Sequence, residues 1–336
     1  MHFAANESPM LRIDGELVCR EDATADAREI EAFLAAHFDD AAHKSLQRRG
    51  CCDVVLRSKG EGAVRLHAFC SANGIRCAAR LLPISPPSLE SLDLPRVIFG
   101  LASRRNGLVL VVGPSGSGKT TLLAAMVEHL NRTAARNVIV LEDPIEYVHT
   151  SGLCTITQCE IGRDAPDFST AIHGVLRADP DVIVIGELRD ANSLRTALLA
   201  AETGHLVLAS LHTRDACQAV ERIVDSFPTE GREQIRVQMA QTMCGIVAIR
   251  LVRRAKVSGR RAIAEILLAN DAVRNLLREG KAHLLRSAMQ TGRNSGMQTF
   301  EMHLMELLRR EDITLQEALT VSEHLDELSP ATGSAP

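Results

Sequence analysis

The chain has 336 residues, of which 46% are hydrophobic and 24% charged, a balance that indicates a folded globular protein and excludes a disordered or fibrous one. Its formal net charge of −4 and its aromatic content of 3%, with no Trp and one Tyr, argue against a general nucleic-acid binder, which uses a basic surface or aromatic stacking platforms. This length is comfortable for two domains.

The first ten residues, MHFAANESPM, contain neither the basic nor the apolar region of a secretion signal. No apolar run approaches the roughly 20 residues that span a bilayer, so we expect a cytoplasmic protein without direct membrane insertion. Nine cysteines occur without a C-x-x-C pair. We therefore expect reduced, mostly structural thiols rather than a disulfide framework or a zinc ribbon.

The first part of the chain has the pattern of a small mixed α and β domain. A strand is predicted at residues 10–13, turning at Asp14 and Gly15, and a helix at residues 25–37. Two further strands are predicted at residues 52–56 and 63–69.

A proline-rich segment, PISPPSLESLDLP at residues 83–95, separates this region from the rest and indicates a linker. We predict a domain at 1–83, a linker at 84–95, a second domain at 96–328 and a disordered tail at 329–336.

Strand and helix patterns alternate in the second region, as in a parallel sheet covered on both faces. The predicted strands are residues 107–112, 137–141, 181–185 and 205–210, and the predicted helices include 121–131 and 191–203. Gly204 follows the second helix at a plausible C′ position. From Arg232 onward the apolar spacing of three and four predicts a largely helical structure.

The motif GPSGSGKT lies between the first of these strands and the helix after it, and it matches the phosphate-binding pattern G-x-x-x-x-G-K-[ST]. Glycines let successive backbone N–H groups turn toward phosphate oxygens, and the helix directs its positive end at the same charge. Lys119 would reach the β and γ phosphates, and Thr120 would hold Mg²⁺. The predicted nucleotide-binding residues are Gly113, Pro114, Ser115, Gly116, Ser117, Gly118, Lys119, Thr120 and Thr121.

Acidic residues follow two other predicted strands, at the edge where ligands bind in open parallel sheets. Glu187 ends DPDVIVIGE, and the segment LEDPIEYVH places Glu142, Asp143 and Glu146 at the same edge. Hydrolysis needs a carboxylate beside the metal and a group that orients or deprotonates water. One acid of LEDPIEYVH could accept the proton of the attacking water.

Two histidines, His205 and His212, flank the strand in TGHLVLASLHT. Their odd spacing places them on opposite faces of a strand, so they are not expected to chelate one metal together. Without further context, a structural role is the simpler interpretation of each.

Taken together, these motifs resemble the secretion-superfamily ATPases, and within them the twitching-motility retraction ATPases of type IV pili. The resemblance runs from about Met10 to Leu319. The segments that carry it are GPSGSGKTT (the Walker A loop), EDPIEYVH (the Asp box), DPDVIVIGELRD (Walker B), AAETGHLVLASLHT (the His box) and AVRNLLREGK, a signature of the retraction group.

The resemblance implies an α/β protein, with a small PAS-like α+β domain followed by a RecA-like P-loop ATPase core that has a helical C-terminal part. It implies a homohexamer that binds ATP and Mg²⁺ between the two domains and acts on an inner-membrane pilus platform protein, with a paralogous retraction ATPase as a further possible partner and no nucleic acid. Glu187 would be the Walker B acid and a Mg²⁺ ligand together with Thr120.

Further site residues are carried over in the same way. Glu146 would activate water, with Glu142 as the alternative. His205 and His212 would sense or orient the γ phosphate, which reverses the structural interpretation. Arg65 and Arg80 match arginines that approach the nucleotide, and guanidinium groups suit the dispersed charge of a phosphoryl transition state.

The chain departs from this family at several charged positions. Asn73, His173 and Cys159 stand where the family usually has arginine, and Asn192 stands where it usually has glutamate. Two alternatives therefore stay open: an accessory paralogue that binds ATP and modulates a partner motor, and a pilus assembly or type II secretion ATPase. The second usually carries a four-cysteine zinc module, which this sequence lacks.

Overall fold

The computed structural model describes residues 1–13, 16–21, 23–58, 62–82 and 85–331. The chain forms two compact units, Met1–Ser85 and Pro86–Pro336. Among the described residues, no helix is both long enough and apolar enough to cross a membrane.

The first unit is an antiparallel sheet with two helices. In the order β3-β2-β1-β6-β5-β4, its strands pair antiparallel throughout. The elements are β1 (His2–Ala4), β2 (Met10–Ile13), β3 (Glu16–Cys19), α1 (Ala27–His37), α2 (Asp40–Arg49), β4 (Cys51–Ser58), β5 (Gly62–Ser71) and β6 (Gly74–Leu82).

The helices of this unit begin where short acids can cap them. Asp26 and Glu29 form a reciprocal capping box at the start of α1, and the Asp39 carboxylate accepts from Ala42 N at the start of α2. Ile30, Leu34 and Leu46 face the sheet and pack in one cluster with Leu66 and other apolar side chains of β4–β6. The predicted strands and helix are confirmed within a few residues; the turn predicted at Asp14 and Gly15 lies outside the described residues.

The second unit is built on a seven-stranded sheet in the order β13-β12-β7-β11-β10-β8-β9. All its described strands run parallel except β13, which pairs antiparallel with β12 at one edge. The strands are β7 (Gly107–Val112), β8 (Asn137–Glu142), β9 (Thr155–Glu160), β10 (Val182–Ile185), β11 (Leu206–Leu211), β12 (Met243–Arg253) and β13 (Arg260–Leu268).

Helices and apolar side chains cover both faces of this sheet, so β7, β10 and β11 are buried at every residue and consist almost entirely of aliphatic residues. The helices are α3 (Val97–Ala102), α4 (Lys119–Thr133), α5 (Phe168–Val175), α6 (Ala191–Glu202), α7 (Ala216–Asp225), α8 (Arg232–Thr242), α9 (Asp271–Arg278), α10 (Leu285–Thr291), α11 (Phe300–Arg309) and α12 (Leu315–Val321). Aspartates cap α5, α6 and α7 at their N-termini.

The four strands and two helices predicted in this unit are present, and Gly204 follows the C-cap of α6 with φ +104°. The α/β class is confirmed. The prediction of a largely helical structure after Arg232 is wrong for β12 and β13. A strand buried on both faces loses its polar alternation, so its apolar spacing resembles that of a helix.

The segment predicted as a linker is partly ordered against the second unit. Leu89 and Leu94 are buried in its core on either side of a 3₁₀ helix, Glu90–Leu92. Another 3₁₀ helix, Leu325–Ala331, extends into the region for which we expected no fixed structure. Residues 332–336 lie outside the described residues.

Candidate nucleotide site

The phosphate loop connects β7 to α4 at the carboxyl edge of the parallel sheet. Pro114, Ser115 and Gly116 are exposed, whereas Ser117 is buried and its Oγ has no hydrogen-bond partner in the described part of the chain. No side chain among the described residues caps the N-terminus of α4 at Gly118. The helix therefore presents its free N–H groups and its positive end to the loop.

Gly113 shows how closely the loop approaches the sheet. A Cβ at this position would lie 2.4 Å from Ser117 Oγ and 2.5 Å from the Ile249 carbonyl oxygen. The loop backbone can pass there only because glycine has no side chain. This close path and the unpartnered hydroxyl fit a loop that wraps a phosphate group.

Lys119 occupies the centre of the site and is only 7% exposed. Its Nζ donates to the carbonyl oxygens of Gly113 at 2.8 Å and Pro114 at 3.0 Å, and it lies 3.2 Å from His212 Nδ1. Burial lowers the pKa of Lys119, and the carboxylates of Glu187 and Glu146 oppose that shift. The two acids are thus electrostatic neighbours of the lysine.

Glu187 follows β10 and contacts a residue that follows the neighbouring strand β11. Its Oε1 lies 3.1 Å from His212 Nε2, and its Oε2 accepts from Arg189 Nε at 2.9 Å. Because an ammonium group can only donate, His212 Nδ1 accepts from Lys119 and Nε2 carries the proton toward Glu187. One chain of contacts thus joins Lys119, His212 and Glu187.

The Asp-box loop, residues 143–149, follows β8 at the same edge. Glu142 is the last residue of β8 and is 8% exposed. Glu146 is half-buried farther along the loop. Tyr147 Oη lies 3.0 Å from the hydroxyl of Thr121, so this loop is tied to the first turn of α4 beside Thr120.

His205, whose role at the γ phosphate stays a prediction, lies at the opposite edge of the sheet from the phosphate loop. It precedes β11, and its Nδ1 lies 3.0 Å from the Ala200 carbonyl oxygen and 3.2 Å from Thr203 Oγ1. A strand of this length separates it from His212 by roughly 20 Å. Their spacing along the chain predicted that the two histidines lie on opposite faces of the strand. What separates them in the structure is that they lie at opposite ends of it.

Arg65 and Arg80 are directly paired residues on β5 and β6 of the first unit. Arg65 Nε donates to Asp53 Oδ1 at 3.2 Å, and Arg80 is exposed. The structure brings these two arginines together on one face of their own sheet.

Sequence reasoning missed three contributors to the carboxyl edge: Arg189, Tyr147 and Gln158. Arg189 binds both Glu187 and Asp143, the latter at 3.2 Å. Its position two residues after Glu187 in the sequence could have indicated that it lies at this edge. For Gln158 no local signal existed, since its partners lie 9 to 16 residues away in the sequence.

Comparison with known proteins agrees with this site. Residues 96–320 match the family described as type II/IV secretion system protein. The Escherichia coli (strain K12) protein YggR, described as uncharacterized, is 44% identical over 301 residues, covering 90% of this chain and 91% of that protein. The type IV pilus retractation ATPase PilT of Pseudomonas aeruginosa is 36% identical over 318 residues, covering 95% and 92%.

A solved structure of the pilus retraction motor PilT with bound ADP covers 98% of this chain and 94% of its own. It has a TM-score of 0.87 and 36% sequence identity with this chain. The chain is thus similar over nearly its full length to retraction ATPases of the PilT type, and it belongs to the type II/IV secretion system protein family.

Proposed function

We propose that six copies of the chain form a ring that binds Mg²⁺-ATP at the phosphate loop, hydrolyses it to ADP and phosphate, and drives type IV pilus retraction. The observation that carries the proposal is the chain of contacts from Lys119 through His212 to Glu187 beside an open phosphate loop. It joins the lysine that we assign to phosphate binding to the acid that we assign to Mg²⁺ binding.

Binding is assigned to the residues of the loop and its helix. Lys119 would exchange its contacts with the Gly113 and Pro114 carbonyls for the β and γ phosphates. Ser117 Oγ, buried without a partner among the described residues, would donate to a phosphate oxygen. Thr120 and Glu187 would hold Mg²⁺, directly or through water. The metal ion would neutralise charge on the β and γ phosphoryl oxygens.

Water activation is assigned to the Asp box. The water oxygen attacks the γ phosphorus, the bond to the β–γ bridging oxygen breaks, and the water proton passes to a carboxylate. Glu146 is the favoured acceptor, since it is half-buried at the loop rim and acts electrostatically on Lys119. Glu142 is the alternative.

His212 would report the occupancy of the site. When Lys119 turns toward phosphate, His212 Nδ1 would lose its donor, and the imidazole could keep its contact with Glu187 or turn toward the γ phosphate. The proposal also includes Arg65 and Arg80, whose guanidinium groups suit the charge of the transferring phosphoryl group.

The motor would act at the cytoplasmic face of the inner membrane, attached to the pilus machine through its platform protein. A second candidate is an accessory ring subunit that binds ATP and modulates a partner motor. It is favoured by the replacement of arginine at family positions: the backbone N–H of Asn73 donates to Ser71 Oγ within its turn, and His173 Nδ1 lies 2.8 Å from the Ser169 carbonyl oxygen within its helix.

The decisive biochemical test compares the wild-type protein with Lys119→Ala and Glu187→Gln. We expect the wild type to hydrolyse ATP, Lys119→Ala to lose nucleotide binding, and Glu187→Gln to bind ATP but hydrolyse it about 100- to 1,000-fold more slowly. Light scattering would follow ring assembly in each variant. A wild-type ring without turnover would contradict an autonomous motor.

Deletion in a piliated host tests the direction of action. Excess surface pili with lost twitching would support retraction. Bald cells would indicate an assembly role, and an unchanged phenotype would favour the accessory subunit.

A further inference from the structure

We propose that Gln158 is a positioning residue for ATP hydrolysis, which fixes the Asp-box loop so that Glu146 faces the phosphate site. This inference rests on the proposed role of Glu146. It assigns a function to the edge strand β9, whose side chains contact the loop that follows β8.

The side-chain amide of Gln158 acts on the loop as a neighbouring peptide group would. Its Nε2 donates to the Tyr147 carbonyl oxygen at 2.8 Å, and its Oε1 accepts from His149 N at 2.9 Å. Glu160, two residues along β9 and on the same side of the strand, accepts from Ile145 N at 3.2 Å. Backbone groups at alternate loop residues, 145, 147 and 149, are therefore satisfied by two side chains.

This pattern holds the loop in a strand-like alternation. Ile145 and Tyr147 are 6% and 4% exposed, whereas Val148 is 49% exposed and Glu146 is half-buried. Fixing the backbone on either side of Glu146 fixes the direction of its side chain. That direction brings its charge close enough to Lys119 to oppose the effect of burial on the lysine.

The other contacts of Gln158 connect it to the rest of the site. Nε2 also donates to Glu142 Oε2 at 3.4 Å, so the same amide contacts the alternative base directly and Glu146 only through the loop backbone. Beyond the loop, Asn131 holds the next segment through the Thr150 carbonyl at 2.8 Å and Gly152 N at 2.7 Å. Asn131 lies in α4, so α4 holds the backbone at residues 150 and 152, whereas β9 holds it at residues 145, 147 and 149.

The test uses the purified full chain with Gln158→Leu, which removes both the donor and the acceptor at similar volume. Displacing a reacting group by about 1 Å can cost roughly 100-fold in rate, so we expect kcat to fall about 10- to 100-fold. The affinity for a fluorescent ADP analogue with Mg²⁺ should change less than about two-fold, because Gln158 makes no contact with the phosphate loop among the described residues. Thr157→Ala, an exposed neighbour on the other side of β9, is the matched control and should match the wild type.

A double-mutant cycle separates positioning from general destabilisation. If Gln158 acts through Glu146, then Gln158→Leu should slow hydrolysis no further, within about two-fold, once Glu146→Gln is present. Fully additive losses, or an unchanged kcat in Gln158→Leu, would overturn the proposal. So would a slow Gln158→Leu beside a Glu146→Gln variant with wild-type turnover.

Failure of the proposed function is recognised separately. In that case Lys119→Ala would hydrolyse ATP as fast as the wild type, whatever Gln158 does. Thermal unfolding of each variant should stay within a few degrees of the wild type, and a large loss of stability together with lost nucleotide affinity would show that Gln158 is only structural.

Discussion

The two edges of the seven-stranded sheet use the same residue types for different purposes. At the amino edge, Asp181 accepts from Asn137 N at 2.7 Å and His205 contacts the Ala200 carbonyl at 3.0 Å. At the carboxyl edge, Lys119, His212 and Glu187 contact one another through their side chains. Asp181 and His205 thus contact backbone groups, whereas Glu187 and His212 are arranged around a loop that is open to a ligand.

The largest expected contrast is between the two histidines. His212→Ala should lower kcat about 10- to 100-fold, because it removes the link between Lys119 and Glu187. His205→Ala should leave kcat within about two-fold and cost about 1 kcal/mol of stability, since it loses one local hydrogen bond. Steady-state ATPase assays and denaturant unfolding of both variants would check this. If the two variants lost kcat equally, the functional difference between the carboxyl and amino edges would be contradicted.

The phosphate loop offers a contrast within the carboxyl edge itself. Gly113→Ala would press a methyl group against Ser117 Oγ and the Ile249 carbonyl. Overpacking of this kind shifts the backbone and costs about 1–3 kcal/mol of free energy. Because the shifted backbone is the one that would bind phosphate, we expect nucleotide affinity to fall about 10- to 100-fold. At Gly116 no described atom lies within 4 Å of an added Cβ. We therefore expect Gly116→Ala to lower nucleotide affinity by less than about ten-fold. Titration with a fluorescent ADP analogue measures both, and a larger loss at Gly116 would contradict the packing argument.

Glu265 on β13 is a buried acid near the carboxyl edge that contacts a backbone group, so its effect is expected on stability. It is 2% exposed and accepts from Ala216 N at 2.9 Å, and burial raises its pKa to about 7 from an ordinary 4.5. Below about pH 4.5 it is protonated in both the folded and the unfolded chain. As the pH rises toward 7, only the unfolded chain ionises, so this group lowers stability progressively until the folded state also ionises.

Glu265→Gln keeps an acceptor for Ala216 N but cannot ionise. Its stability relative to the wild type should therefore increase between pH 5 and pH 8, by at most roughly 3 kcal/mol. Denaturant unfolding at both pH values measures the difference, with Glu221→Gln on the exposed side of α7 as the control. A difference that does not depend on pH would contradict the buried, protonated state.

The smallest effect is expected at the amino edge. Asp181→Ala should destabilise the fold by about 1 kcal/mol through the lost bond to Asn137 N, with no change in nucleotide affinity. Chemical unfolding and analogue titration would check the two parts. A weakened affinity would show that the amino edge influences the site.

Much of the site could be predicted from local patterns. The spacing in GPSGSGKT specifies a loop and a helix start, and the apolar runs before Lys119, Glu142, Glu187 and His212 specify strands whose carboxyl ends meet at one edge. Contacts between distant segments could not be predicted in this way. Gln158 reaches Tyr147 and His149 only because β9 pairs with β8 in parallel.

The sequence by itself determined the phosphate loop, the buried strands and the α/β class, because each depends on residues close together in the chain. Only the tertiary structure decided that His212 and not His205 reaches the loop, that β12 and β13 extend the sheet, and that β9 holds the Asp box. These features follow from strand order and direction, which are set by packing between segments far apart in the sequence.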